Sequence, residues 1–440
     1  MTALDQLAGK IKHNDFTLGI IGIGRIGLPL ALVFARAGIK VTGFDLDKEY
    51  ISEIKSGKAP FQEEGLEALL SNPKFEAVAI EGSEARMASC DVFIICVGTP
   101  LTANHHVDYN QLFSALSLIT RSSLLGKFVI IRSTVPPGTM LERVIPFVES
   151  RTGLKAGTDF GAASCPERVL EGHAIEEIVS LPEIIGGIDP VSTEIAASIF
   201  SKLNHNKKIL RTTPGSAEMA KLFANMYKYV NFALANEFAL MAEEFGQNGA
   251  EIISVVNDGY PRGGIPRPGL VGGPCLTKDG YFLVSNTCFP DLILLAARIN
   301  EFMPQHVVNR LRMEMAARGR HLNNARVGLL GTSFKAGSDD ERYSPSIKIA
   351  ELLESEHVAV VRHDPHVKGT ESLEKAVRDA DVIILATNHK EFEGILPKIQ
   401  QIRGKKGRCL IFDCWGLFDG QEARSHGFDY LKLGSKPLQA

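Results

Sequence analysis

The sequence has little of three things. Its seven cysteines, at 90, 96, 165, 275, 288, 409 and 414, are odd in number, scattered, and include no CxxC pair. That argues against a disulfide framework, gives no sign of zinc, and suits reduced thiols in a cytoplasm. Net charge is small, at −3, so nothing steers the chain towards nucleic acid or an anionic membrane. No apolar run approaches a membrane span, and the opening MTALDQLAGKIKHND lacks the apolar centre of a signal peptide. The expectation is a cytoplasmic protein with no nucleic-acid partner, no membrane partner and no metal.

What is present is α/β patterning, in a chain too long at 440 residues for one core. TLGIIGIG (17–24), KVTGF (40–44), DVFIICVG (91–98) and KFVIIRS (127–133) are short, β-branched and apolar on both faces. Such runs mark parallel strands covered by helices. ARVGLLG (325–331), VAVVRHD (358–364), DVIILAT (381–387) and GRCLIFD (407–413) repeat the order, with Asp45 and Asp364 ending the second strand of each set. This predicts two doubly wound Rossmann-like domains, residues 1–213 and 321–440, joined by a central helical region, 214–320. Within that region, 214–245 lies between a helix-starting Pro214 and a helix-stopping Gly246. A helix of that length runs about 45 Å. It is apolar around most of its circumference, so the reading is a bridging helix that also packs against its copy in a homodimer.

Gly22-Ile23-Gly24-Arg25-Ile26-Gly27 leaves the first strand and enters a helix, and Asp45 ends the next strand. That is the context of a dinucleotide fingerprint: the glycines admit a pyrophosphate at a helix N-terminus. Asp45 is placed for the adenosine ribose hydroxyls, and its charge repels a 2′-phosphate, which selects NAD over NADP. The corresponding turn of the second set, GLLGTSFK, lacks the fingerprint. Further on, VGGPCLTKDGY (271–281) sets Cys275 behind two glycines and a proline and beside Lys278 and Asp279, the setting of a reactive thiol. The other six cysteines are assigned to packing.

Taken together, GIIGIGRIGLPLA (19–31), DVFIICVGTP (91–100), STVPPGT (133–139), CPERVLEGHA (165–174), AEMAKLFANMYK (217–228), VGGPCLTKD (271–279), GTSFKAGSDDER (331–342) and HDP (363–365) resemble the UDP-glucose/GDP-mannose dehydrogenase family over nearly the whole chain. The resemblance implies oxidation of the C6 alcohol of a nucleotide sugar to a carboxylate with two NAD reduced. It also implies NAD on the N-terminal domain, the nucleotide on the C-terminal one, a dimer through the central helices, and a role in making charged polysaccharide. Cys275 would be the nucleophile, carrying the sugar as thiohemiacetal and thioester. Lys221 and Asn225 would face the reacting carbon from one helical face. Asp279, Glu167 and Thr134 would serve the proton and the hydrolytic water, with base and oxyanion roles left open. Val97, Gly98, Thr99, Pro100, Glu171 and Arg342 fall on the cofactor side. Arg168, Arg262, Phe334 and Lys335 fall on the substrate side.

The loop NDGYPRGGIPRPGLVGGPC (257–275) is similar to that of the UDP-N-acetylhexosamine branch, whereas the C-L-x-K-D segment is closer to the UDP-glucose and GDP-mannose branches. The expected substrate is UDP-N-acetylmannosamine or UDP-N-acetylglucosamine, with UDP-glucose next. A two-electron β-hydroxyacid-type dehydrogenase is the alternative, and it needs neither GGPCLTKD nor residues 325–440. The chain departs from the family pattern at Thr277 for proline, Tyr343 for the glutamate of an R-E-S triplet, and DCWG (413–416) for an ending that usually brings an arginine.

Overall fold

The computed structural model describes residues 2–284, 287–404 and 407–436. The chain forms two compact units, one of residues 1–224 and 281–286, the other of 225–280 and 287–440.

The first unit is built on one eight-stranded sheet. Its strands are β1 (Thr17–Ile21), β2 (Lys40–Asp45), β3 (Phe75–Ala79), β4 (Val92–Ile95), β5 (Phe128–Ile131), β6 (Gly161–Ser164), β7 (Glu183–Gly187) and β8 (Ile209–Thr212), in the order β3-β2-β1-β4-β5-β6-β7-β8. All neighbours are parallel except β6 and β7. Apolar runs are continuous because both faces are covered. In β4, Val92 and Ile94 join the core that includes Leu28 and Leu32 of the helix Gly27–Arg36. Phe93 and Ile95 join the opposite core with Leu112 and Leu116 of the helix Asn110–Ile119.

The second unit carries β9 (Arg326–Leu330), β10 (Ala359–His363), β11 (Val382–Leu385), β12 (Cys409–Asp413) and β13 (Phe428–Lys432), all parallel, in the order β10-β9-β11-β12-β13. This is the other common doubly wound order. The helix Asp291–Ala317 lays Met303, Val307, Leu311 and Met315 into the same core as Val327, Leu329 and Val382. Most of the central region falls within the second unit.

The long helix runs Pro214–Glu244, and the division between the units falls within it, after Ala224. Between Tyr227, 74% exposed, and Phe245, 79% exposed, Leu234, Phe238 and Met241 complete one uncovered apolar stripe at helical spacing. Among the described residues, no helix is long and apolar enough to cross a membrane.

Candidate active site

In the first unit the site grows from the C-terminal ends of β1, β4 and β5, where ligands of doubly wound sheets bind. Gly22 turns the chain at φ +84°, a conformation side chains rarely adopt. A Cβ on Gly27 would lie 2.0 Å from the Gly22 carbonyl oxygen, so only glycine lets the helix start so close to the strand. A Cβ on Gly24 would meet nothing within 4 Å, which leaves room over that residue for a ligand. Asp45 accepts the Ile23 N–H at 3.0 Å and the Asp47 N–H at 3.2 Å, so its carboxylate braces the loop it is expected to serve. Arg25 pairs with Glu171 at 2.6 Å and lies over the Phe61 ring, which brings two expected cofactor residues together.

The loops after β4 and β5 are tied to each other. The Ser133 hydroxyl donates to the Val97 carbonyl at 2.6 Å, and the Thr99 hydroxyl donates to the Thr134 carbonyl at 2.6 Å. Gly98 N–H donates to Gln111 Oε1 at 3.1 Å. The Val97–Pro100 turn and Thr134 therefore form one shelf. Room over Gly24 and a lone carboxylate at Asp45 fit NAD, with Gly22–Gly27, Asp45 and this shelf as the residues that would hold it.

Glu167, expected to handle a proton, is clasped by four donors. One carboxylate oxygen takes Arg132 Nε, at 3.0 Å, together with Nη2, and the other takes the Arg168 and Val169 N–H groups at 2.7 and 3.1 Å. Burial alone would raise its pKa; the Arg132 guanidinium and the two backbone donors outweigh burial and hold it below the ordinary glutamate value. Arg132 also pairs with Glu183, which in turn lies 3.7 Å from Lys207. At Glu183 burial prevails over Arg132 and leaves the pKa raised. The Arg168 guanidinium, expected on the substrate, donates to the Pro182 carbonyl.

Glu218, which the sequence reading passed over, sits one turn before Lys221 on the long helix. It is buried and accepts the N–H groups of Gly138 and Met140 at 2.7 and 2.9 Å and the Ser164 hydroxyl at 3.0 Å. It thereby fixes the helix to the STVPPGT loop and to β6. Burial raises its pKa against those three donors. Lys221 is also buried, and among the described residues its ammonium makes no hydrogen bond or ion pair.

In the second unit Cys275 is exposed and immediately precedes the helix Leu276–Val284, its carbonyl accepting the Asp279 N–H at 3.0 Å. A helix N-terminus favours negative charge. Asp279 is fully buried; Asn225 Nδ2 donates to one of its oxygens at 2.7 Å and Lys278 Nζ to the other at 3.0 Å. The remaining cysteines divide. Burial raises the thiols of Cys90, Cys96 and Cys409 to about 12, and it raises those of Cys165 and Cys414 as well. Cys288 is exposed, contrary to its expected packing role.

Phe334 lies against Gly273, where a Cβ would come within 2.6 Å of its ring, and its neighbour Lys335 offers a carbonyl to the Ser333 hydroxyl. Arg342 is held by Asp340, with Nε 3.0 Å from both carboxylate oxygens. Arg262 lies over the Tyr260 ring, 4.8 Å from its centroid, with Nε donating to the phenol oxygen at 3.0 Å. At the end of β10, Asp364 accepts the N–H groups of Thr332 and Ser333, as Asp45 does for Ile23. Among the described residues His366, His389 and Glu391 are the one group spaced for a metal. Both His389 nitrogens are already engaged, Nδ1 by the Gly337 N–H and Nε2 by Asp364.

A doubly wound sheet in each unit is the architecture of a nucleotide-dependent dehydrogenase, and the second unit adds a solvent-facing thiol at a helix start. Models of the UDP-glucose/GDP-mannose dehydrogenase family match the chain in three parts: the NAD binding domain at 16–204, the central domain at 215–301 and the UDP binding domain at 328–420. The chain belongs to this family and is an NAD-dependent nucleotide-sugar dehydrogenase. It is 38% identical over 385 residues to a UDP-N-acetyl-D-mannosamine dehydrogenase of Pyrococcus horikoshii, covering 86% of this chain and 90% of that one. A solved structure of UDP-D-ManNAc dehydrogenase from that organism superposes with a TM-score of 0.87 at 36% identity, over 95% of this chain and 99% of the other. A UDP-glucose dehydrogenase from Pyrobaculum islandicum gives a TM-score of 0.80 at 26% identity, over 96% and 98%.

Proposed function

We propose that this enzyme oxidises the C6 hydroxymethyl of UDP-N-acetylmannosamine to the uronate, with Cys275 as the covalent carrier. The names of its relatives support that sugar over UDP-N-acetylglucosamine, and its Tyr-Pro-Arg substrate loop supports a UDP-N-acetylhexosamine over UDP-glucose. The observation that carries the mechanism is the exposed Cys275 at a helix start, one turn from a buried Asp279 clasped by Asn225 and Lys278.

NAD supplies the hydride acceptor for both oxidations. The Lys221 ammonium stabilises the alkoxide formed as the alcohol loses its proton, and later the oxyanions at the same carbon. Asn225, oriented by Asp279, fixes the direction of the C6 oxygen. Cys275 sulfur adds to the aldehyde, forming a C–S bond and preventing escape of the intermediate. Oxidation of that thiohemiacetal leaves a thioester, and water, directed by Thr134, breaks the C–S bond to give the carboxylate and the free thiol. Glu167 acts as a fixed anion that shapes this shelf.

The stripe Tyr227–Phe245 supports a homodimer, because a second copy can cover it. The reduced thiols support a cytoplasmic setting. Initial rates on UDP-N-acetylmannosamine, UDP-N-acetylglucosamine and UDP-glucose test the substrate, and a preference for UDP-glucose would overturn it. Light scattering tests the dimer, and a monomer mass at micromolar concentration would remove it.

A further inference from the structure

The departure at DCWG puts a large ring where the family pattern brings an arginine, and the structure gives that ring a task. Trp415 is the chain's single tryptophan. It follows β12, its backbone N–H donates to Asp413 Oδ1 at 2.9 Å, and its indole Nε1 donates to the Ala386 carbonyl, also at 2.9 Å. The indole is thus fixed at both ends to the C-terminal sheet. Its six-membered ring lies against Gly269. A Cβ on that glycine would sit 2.6, 2.8 and 3.0 Å from three carbons of the ring, its nearest neighbours.

Gly269 opens the segment that leads to Cys275, and both ends of residues 269–273 are anchored. Gly269 N–H donates to Asn236 Oδ1 at 2.9 Å, Asn236 Nδ2 donates to Asn300 at 3.0 Å, and Asn300 donates to the Tyr229 carbonyl. Leu270 enters the core. Gly273 N–H donates to the carbonyl of Tyr343, whose φ is +55°. We propose that Trp415 is a positioning residue: its ring sets the height of residues 269–273 above the C-terminal sheet and so the place of the Cys275 sulfur. This rests on the reading of Cys275 as nucleophile.

The test uses the size match of the pair. Gly269→Ala forces ring and loop apart; misplacing the thiol should lower kcat for NADH formation by about tenfold or more, with KM for the sugar moving much less. Emission of the lone tryptophan should shift in the same variant. Trp415→Leu should lower kcat by itself, and Gly269→Ala/Trp415→Leu should be more active than the product of the single effects predicts. Trp415→Phe replaces Trp415→Leu if the latter does not fold. Additive effects, an unchanged kcat in Gly269→Ala, or a change confined to KM would overturn the proposal. Alkylation of Cys275 by iodoacetamide, in a Cys288→Ser background, reads the position of the thiol whether or not it is the nucleophile. The same compensation must appear in that rate. Loss of compensation there sinks the positioning role, whereas acid formation by Cys275→Ala would sink only the covalent mechanism.

Discussion

Replacing Glu167 by glutamine separates a structural anion from a proton carrier. The carboxylate accepts four donors, two from Arg132 and two from the backbone, and the residue is 8% exposed. A glutamine offers one oxygen. Whichever way the amide turns, its NH2 faces two donors and leaves them unpaired. Hydrogen bonds to charged groups contribute about 1.5–3 kcal/mol each, so losing two costs about 3–6 kcal/mol. Removing a negative neighbour of Glu183 offsets part of that, which places the net loss near the lower end. For a unit of this size a loss of that order lowers Tm by about 10 °C. Calorimetry of the unliganded enzyme at pH 7 reads this directly. The pH dependence has a defined sign. Because the folded pKa of Glu167 is depressed, its stabilisation is present above the ordinary glutamate value of 4.5 and is lost as pH falls through the folded value. The gap between wild type and Glu167→Gln should therefore close on acidification. An unchanged Tm with turnover lost would refute the clasp and return Glu167 to proton transfer.

Two further predictions concern positioning. Glu218→Ala leaves the Gly138 and Met140 N–H groups without their acceptor and loosens the turn carrying Lys221. It should cost about 1–3 kcal/mol in thermal stability and lower kcat more than it raises the KM for NAD. Equal loss in both constants would deny it a positioning role. Asp45→Ala removes the acceptor of the Ile23 N–H and the carboxylate expected at the adenosine ribose. The KM for NAD should rise by about tenfold or more, and discrimination against NADP should shrink. Unchanged discrimination would remove Asp45 from the adenosine site.

Much of this was legible in the sequence because the strands that frame the site are apolar on both faces. DVFIICVG and DVIILAT announce β4 and β11 without help from any distant residue. The strands β6 and β7, GAAS and EIIGG, carry small residues and too few apolar ones for a period to show. The glycine turn was readable because a short spacing specifies it. The clasp on Glu167 was not legible because the group that makes it, Arg132, lies 35 residues away in sequence. Glu218 looked like an ordinary helix glutamate, since its partners Gly138 and Ser164 are brought to it only by the fold. The Trp415–Gly269 contact was hidden for the same reason.

One enzyme is expected to carry the sugar through both oxidations. The most direct measurement is the NADH formed at completion per molecule of limiting UDP-N-acetylmannosamine, with NAD in excess. Two NADH per sugar, with the uronate as product, is the predicted result. One NADH per sugar would mean that the reaction stops at the aldehyde and that Cys275 does not carry the second oxidation.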